Sequence, residues 1–254
     1  MTRAGRLNLL IIGLVVSSLA VGAQSSYPSW FLDPPPGASA AIFAKTEKEA
    51  VEYGGAVLAT YAKARVIGDF QVFFDSSIDQ DSFNNTEYYY YPDSAEVKRL
   101  AGAIKTYDSS IVSLMPPARL WLVGTKDSAL EPDRSLVAAS DLPKPAWSTK
   151  TGYVEGDRIY GVGRFTFEAD AAHAWVKAEE IAVFNLLTAN SVMIGESTTQ
   201  SVSSGAGDST LKIQWIRLRY ELSDLRVEHR WINADQSLCL VLVSSPKSSI
   251  RSLK

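Results

Sequence analysis

Enzymatic chemistry needs groups that attack, ionise or ligate at workable spacing, and this chain holds few of them. Its 254 residues include two histidines, His173 and His229, and one cysteine, Cys239. A nucleophilic site needs a base and an orienting acid beside the nucleophile. His173 falls in a helical stretch with Glu179 and Glu180 off its i+4 position. His229 follows Glu228 on an expected strand, where adjacent side chains point to opposite faces. Serines are plentiful, but none stands in a Gly-x-Ser-x-Gly elbow. Asp75, Asp79 and Asp81 could offer oxygens to a hard cation, yet their spacing departs from the calcium-loop pattern and reads as an exposed acidic loop. Gly161-Val162-Gly163 precedes a helical stretch as a dinucleotide loop would. Position 166 is Thr166 where a third glycine belongs, so two glycines easing a strand-to-helix turn is the expectation. The search yields no catalytic residue, no metal ligand set and no cofactor site, and the chain reads as a non-enzyme.

What remains is a candidate for contact. Tyr88, Tyr89, Tyr90 and Tyr91 run consecutively after Asn84-Asn85-Thr86, itself a match to a glycosylation acceptor. On a strand two of the tyrosines face each way, so one pair could stack on sugars or on a partner protein while the other covers core. Cys239 lies within Leu238-Cys239-Leu240-Val241-Leu242-Val243, which reads as a buried strand carrying an inert thiol.

The bulk composition agrees with this emptiness. Hydrophobic residues make up 46% and charged residues 21%, the balance of a folding globular chain. The formal charge of −3 argues against nucleic-acid binding, which usually brings a basic surplus. One cysteine excludes an intramolecular disulfide, and it suits an oxidising compartment where stray thiols mispair.

Residues 1–23 have the form of an export signal. Arg3 and Arg6 precede a short apolar run, Leu9 to Val16, and Val21-Gly22-Ala23 places small residues for cleavage before Gln24. Loss of the two arginines would take the formal charge from −3 to −5. The alternative is a retained anchor extended through Leu19-Ala20-Val21. No cysteine follows the run to accept lipid, and no later segment is long and apolar enough for a spanning helix, so the mature chain is expected without a transmembrane helix.

The elements come in an order that repeats. Trp30 begins an extended segment and Ile42-Phe43 follows at a distance of 12; Trp147 is followed by Ile159-Tyr160 at the same distance. An alanine-rich helix is expected from about Thr46 to Arg65, capped by Thr46 and Glu49, and another from about Thr166 to Leu187. Short β-branched stretches, Val66-Ile67 and Val192-Met193-Ile194, follow them. Leu211 to Tyr220 alternates as a half-buried strand, Leu225 to Ile232 is a second strand, and Asn233 to Gln236 turns into the third. Ser197 to Ser209 reads as a loop or frayed strand pair, and Ala95 to Ile104 as an extra helix capped by Ser94. The expectation is an α+β chain of two similar domains, each a long helix packed on an antiparallel sheet. The first spans 24–125 and carries an irregular acidic and tyrosine-rich loop; 126–144 is a linker, and the second domain spans 145–254.

Tyr27-Pro28-Ser29-Trp30-Phe31-Leu32-Asp33-Pro34-Pro35 resembles the Pro-x-Trp-x-x-x-Pro-Pro opening of bacterial envelope lipoproteins related to the flagellar accessory proteins FlgP and FlgT. Pro145-Ala146-Trp147, Ile159-Tyr160-Gly161-Val162-Gly163 and Arg230-Trp231-Ile232 look like further parts of that domain. The resemblance covers about residues 145–245 and, more loosely, 27–125. It implies an α+β domain with a non-enzymatic role at the outer membrane or flagellar basal body, in a family whose members tend to assemble into rings or discs. The missing lipidation cysteine fits a soluble periplasmic subunit better than an anchored one. The functional expectation is therefore an exported structural or assembly protein that associates with itself and with envelope or flagellar proteins. The alternative is a periplasmic binding module for cell-wall glycan or a small ligand, using Tyr88 to Tyr91.

Overall fold

The capping box expected at Thr46 is present: its hydroxyl accepts the Glu49 N–H at 3.2 Å, and the Glu49 carboxylate takes the Thr46 N–H at 3.3 Å. The computed structural model describes residues 26–37, 39–75, 80–112, 118–167, 170–194, 198–203 and 210–253. The proposed export signal and Asp79 lie outside the described residues.

The chain enters through β1 (Ser26–Pro28) and the one-turn helix α1 (Ser29–Leu32). It continues through β2 (Ser39–Phe43), helix α2 (Glu47–Ala62) and the long strands β3 (Lys63–Asp75) and β4 (Gln80–Pro92). Helix α3 (Ser94–Leu100), β5 (Ile104–Val112), β6 (Ala118–Thr125) and β7 (Leu136–Ala138) follow. The remainder is β8 (Gly152–Glu155), β9 (Arg158–Thr166), helix α4 (Ala171–Ile194), β10 (Thr198–Ser203), β11 (Thr210–Ser223), β12 (Arg226–Ile232), β13 (Leu238–Pro246) and β14 (Ile250–Ser252). The architecture is α+β. Among the described residues no helix is long and apolar enough to cross a membrane.

In one sheet β6 lies between β2 and β5; in another β13 lies between β9 and β12, with β8 beyond β9. Helix α2 packs on the first of these sheets and α4 on the second. The hairpins β3–β4 and β10–β11 join a third sheet in the order β10-β11-β3-β4, with β14 also on β11. There β11 pairs antiparallel with the whole of β3, from Leu211–Asp75 to Ser223–Lys63. Residues 24–125 and 145–254 thus share a sheet, and one hydrophobic cluster runs through both. Within 126–144, β7 pairs with β1, and Leu130 and Ala139 are buried.

Several local expectations are corrected. Trp30 lies inside α1, so it does not open an extended segment; Trp147 lies inside a short 3-10 turn. Val192-Met193-Ile194 stays helical, because the buried face of α4 carries on through Leu186, Leu187 and Asn190 and outweighs a weak β preference. The extra helix is capped by Asp93, whose carboxylate accepts from Ala95 and Glu96, and it ends at Leu100. The stretch expected as an irregular loop is the paired strand β4, in keeping with the β preference of its tyrosines.

Gly161 and Gly163 do not ease a turn; both sit within β9, under α4. A Cβ on Gly161 would meet the Ala182 carbonyl oxygen at 2.0 Å, and one on Gly163 would meet that of Ala178 at 1.7 Å. Gly152 on β8 approaches Asn185 in the same way. These glycines remove side chains where the helix backbone lies directly on the sheet. On α2 the gap is on the helix: a Cβ on Gly54 would strike Val123 of β6 at 2.4 Å.

Candidate functional site

Between α2 and α4 the N-terminal segment is wedged as an aromatic plug. Tyr27 stacks on Phe31 with centroids 5.4 Å apart, and Trp175 of α4 stands edge-on to both rings, at 5.8 and 5.0 Å. Phe43 of β2 meets Phe31 edge-on at 5.8 Å. Trp30 is buried as well, its indole N–H donating to Asp108 of β5 at 2.9 Å. The plug is largely aromatic, so its burial stabilises the junction, and the Trp30 indole N–H ties it to Asp108.

Beneath the plug is a polar node built from four elements. Arg230 of β12 donates through Nη1 to the Phe31 carbonyl at 3.0 Å and through Nη2 to Glu179 Oε2 at 3.2 Å, with its guanidinium 4.7 Å from the Phe31 ring centroid. Tyr61, in the last turn of α2, donates its hydroxyl to Glu179 Oε1. Burial, and then the Glu179 charge, push the Tyr61 phenol well above its ordinary range, so it remains a donor. Both Glu179 oxygens are occupied and the Arg230 side chain is only 4% exposed. This geometry clamps residues from α1, α2, α4 and β12 together; it leaves no free base beside a nucleophile.

Above the node the two helices leave a cleft of about 560 Å³. Phe43, Val57, Trp175 and Val183 contribute to its walls, and the exposed Tyr53 and Val176 stand at its rim. Tyr90 and Pro92 of β4 reach the same cleft.

The tyrosine run is thus split as a strand demands. Tyr90 is half-buried against the core, and its neighbour Tyr91 is 50% exposed. Tyr88 and Tyr89 are placed by backbone pairing with Gly68 and Ile67. The histidines are not brought together. His173 is exposed beside Phe165, and His229 Nδ1 lies 2.5 Å from Asp33 Oδ1 at the surface. Glu228 falls at a β-bulge and its carboxylate accepts from the Ser244 hydroxyl. Cys239 is fully buried, its thiol directed at the Phe165 and Ala174 carbonyls, and burial pushes it up to about 12. Asp75 closes β3 and Asp81 lies in β4. Among the described residues no group of three His, Cys, Asp or Glu side chains could hold a metal ion.

The Tyr61–Glu179–Arg230 node was missed by sequence reasoning because its members are 118 and 51 residues apart. One signal was available: Glu179 stands on the buried stripe of α4 between Trp175 and Val183, and Arg230 precedes Trp231-Ile232 on an otherwise apolar strand end. A charge on an inward face needs a partner of opposite sign. No family model matches the chain, and no curated protein or solved structure does either.

Proposed function

We propose that this chain is a non-enzymatic structural protein of the bacterial periplasm that assembles with copies of itself and associates with the cell envelope or flagellar basal body. The observation that carries this reading is the open five-stranded sheet: two hairpins, one from each half, lie side by side, and no other strand among the described residues pairs with the outer edge of β4 or of β10. An internal duplication would fit the same reading: strand, helix and hairpin come in one order in both halves, each followed by two further strands, with α3 intervening in the first half alone. The resemblance of Tyr27–Pro35 and Pro145–Trp147 to the FlgP- and FlgT-like domain supports the location. A node whose side chains are committed to holding the halves together supports the structural role. The test follows the native chain through cell fractionation and weighs the purified protein at high concentration. Oligomers enriched with basal bodies or outer membrane are expected. A monomer recovered only as free periplasmic protein would overturn the reading.

A second reading is favoured by the cleft between α2 and α4. Its apolar walls, with Tyr90 and Tyr53 for stacking, suit a small amphiphile or a glycan in a periplasmic binding module. Retention on cell-wall glycan that is lost in a Tyr53→Ala, Tyr90→Ala double variant would support it; unchanged retention would remove the site.

A further inference from the structure

Resting on the self-assembly reading above, we infer that the contact between copies is strand pairing, with the outer edge of β4 in one copy meeting the outer edge of β10 in the next. The molecule already contains the pattern. Where the two hairpins meet, the second strand of one, β11, lies antiparallel to the first strand of the other, β3. The two outer edges offer the same pair of parts: β4 is the second strand of its hairpin and β10 the first strand of the other. Their directions also agree. Strand β4 is antiparallel to β3, β3 to β11 and β11 to β10, so a neighbouring β10 laid in the same plane and sense runs antiparallel to β4.

The register follows from the rows. Val202, Leu211, Asp75 and Gln80 stand in line across the four strands, as do Thr198, Trp215, Gln71 and Asn84. Continuing these rows puts Gln80 opposite Val202 of the next copy, and Asn84 opposite Thr198 of the next copy. The contact is heterologous, since different edges meet, and the rows advance across the strands without climbing along them. A heterologous repeat of that kind closes into a ring where the rotation between copies closes, and continues as an open filament where it does not. Natural sheets blunt exposed edges with charge or proline; β10, Thr-Thr-Gln-Ser-Val-Ser, carries neither. Further along the same side of β11, β14 takes the pairing positions at Tyr220 to Leu222, so the edge is carried on by a second short strand.

Cysteine pairs test the contact. Within one copy Asn84 and Thr198 are three strand spacings apart, about 14 Å, which is beyond the ~7 Å Cα limit for a disulfide. The native Cys239 is buried and stays out of the reaction. The full chain is made with Asn84→Cys alone, Thr198→Cys alone, and both, then oxidised and run without reductant. The expected result is a ladder from the double variant only. A dimer from Asn84→Cys alone would mean that like edges meet, and would overturn the inference. Oligomers by mass that give no ladder would also overturn it while leaving self-assembly standing; a monomer by mass would remove both. Gln200→Pro serves as the companion variant, because it removes a backbone donor from β10 while leaving the body's core untouched. Folded monomer by circular dichroism and mass is expected from it, and oligomers as large as those of the unmodified chain would count against the contact.

Discussion

Arg230 shows what a single side chain contributes here. Its guanidinium serves Glu179 and the Phe31 carbonyl at once, in a setting almost closed to water. Replacing Arg230 with Met keeps the volume but leaves the Glu179 carboxylate held only by Tyr61 and the Phe31 carbonyl unpaired. A loss of about 3 kcal/mol in urea unfolding is expected. Cys239 sets a limit of another kind. Its thiol, ordinarily near 9.0, is pushed up to about 12 by burial, and the Tyr27 phenol is raised from 10.0 to about 12 by the same cause. The folded state thus holds protons that the unfolded chain releases earlier. The Cys239 contribution is complete below pH 9 and is lost as pH climbs from 9 towards 12, by at most ~4 kcal/mol. Stability measured across that range should fall, and Cys239→Ala should remove the part of the fall that begins near pH 9.

At the scale of elements the close approach of α4 to β9 governs. At Gly163 a methyl group has nowhere to go, since the obstructing atom is the Ala178 carbonyl oxygen and belongs to the helix backbone. Gly163→Ala should cost about 3 kcal/mol or more and lower Tm by about 10 °C in calorimetry. The existence of both long helices, the strand from Leu211 and the hairpin turn at Asn233–Gln236 could be read from periodicity and capping residues, because those signals are local. The glycines of β9 were visible as residues but not as a seam, since the atoms that need the space lie in another element. The end of α4 was misplaced for a related reason: packing of its continuing buried face outweighs the preference of Val192 and Ile194. The tyrosine strand was half legible. Alternation anticipated the split between Tyr90 and Tyr91, but no local signal says that β4 would extend a long hairpin.

For the whole molecule the deciding feature is the pairing of β3 with β11, which no local pattern encodes and which joins residues 24–125 to 145–254. The hydrophobic cluster is continuous through both, and the Tyr61–Glu179 hydrogen bond crosses between them. One cooperative thermal transition is therefore expected from the monomeric Gln200→Pro variant, with calorimetric and van't Hoff enthalpies equal. Two resolved transitions would mean that the halves unfold independently.

The aromatic plug adds an order in time. Tyr27, Trp30 and Phe31 come early in synthesis, yet the Phe31 carbonyl waits for Arg230, 199 residues later. Tyr27 and Phe31 also wait for Trp175. Contacts of such long range form slowly and late. Until the last strands emerge, the beginning of the chain has no place to settle. A chain leaving the ribosome is thereby kept open along most of its length, which is the state that the export route proposed above would require, and it closes only when its far end has arrived.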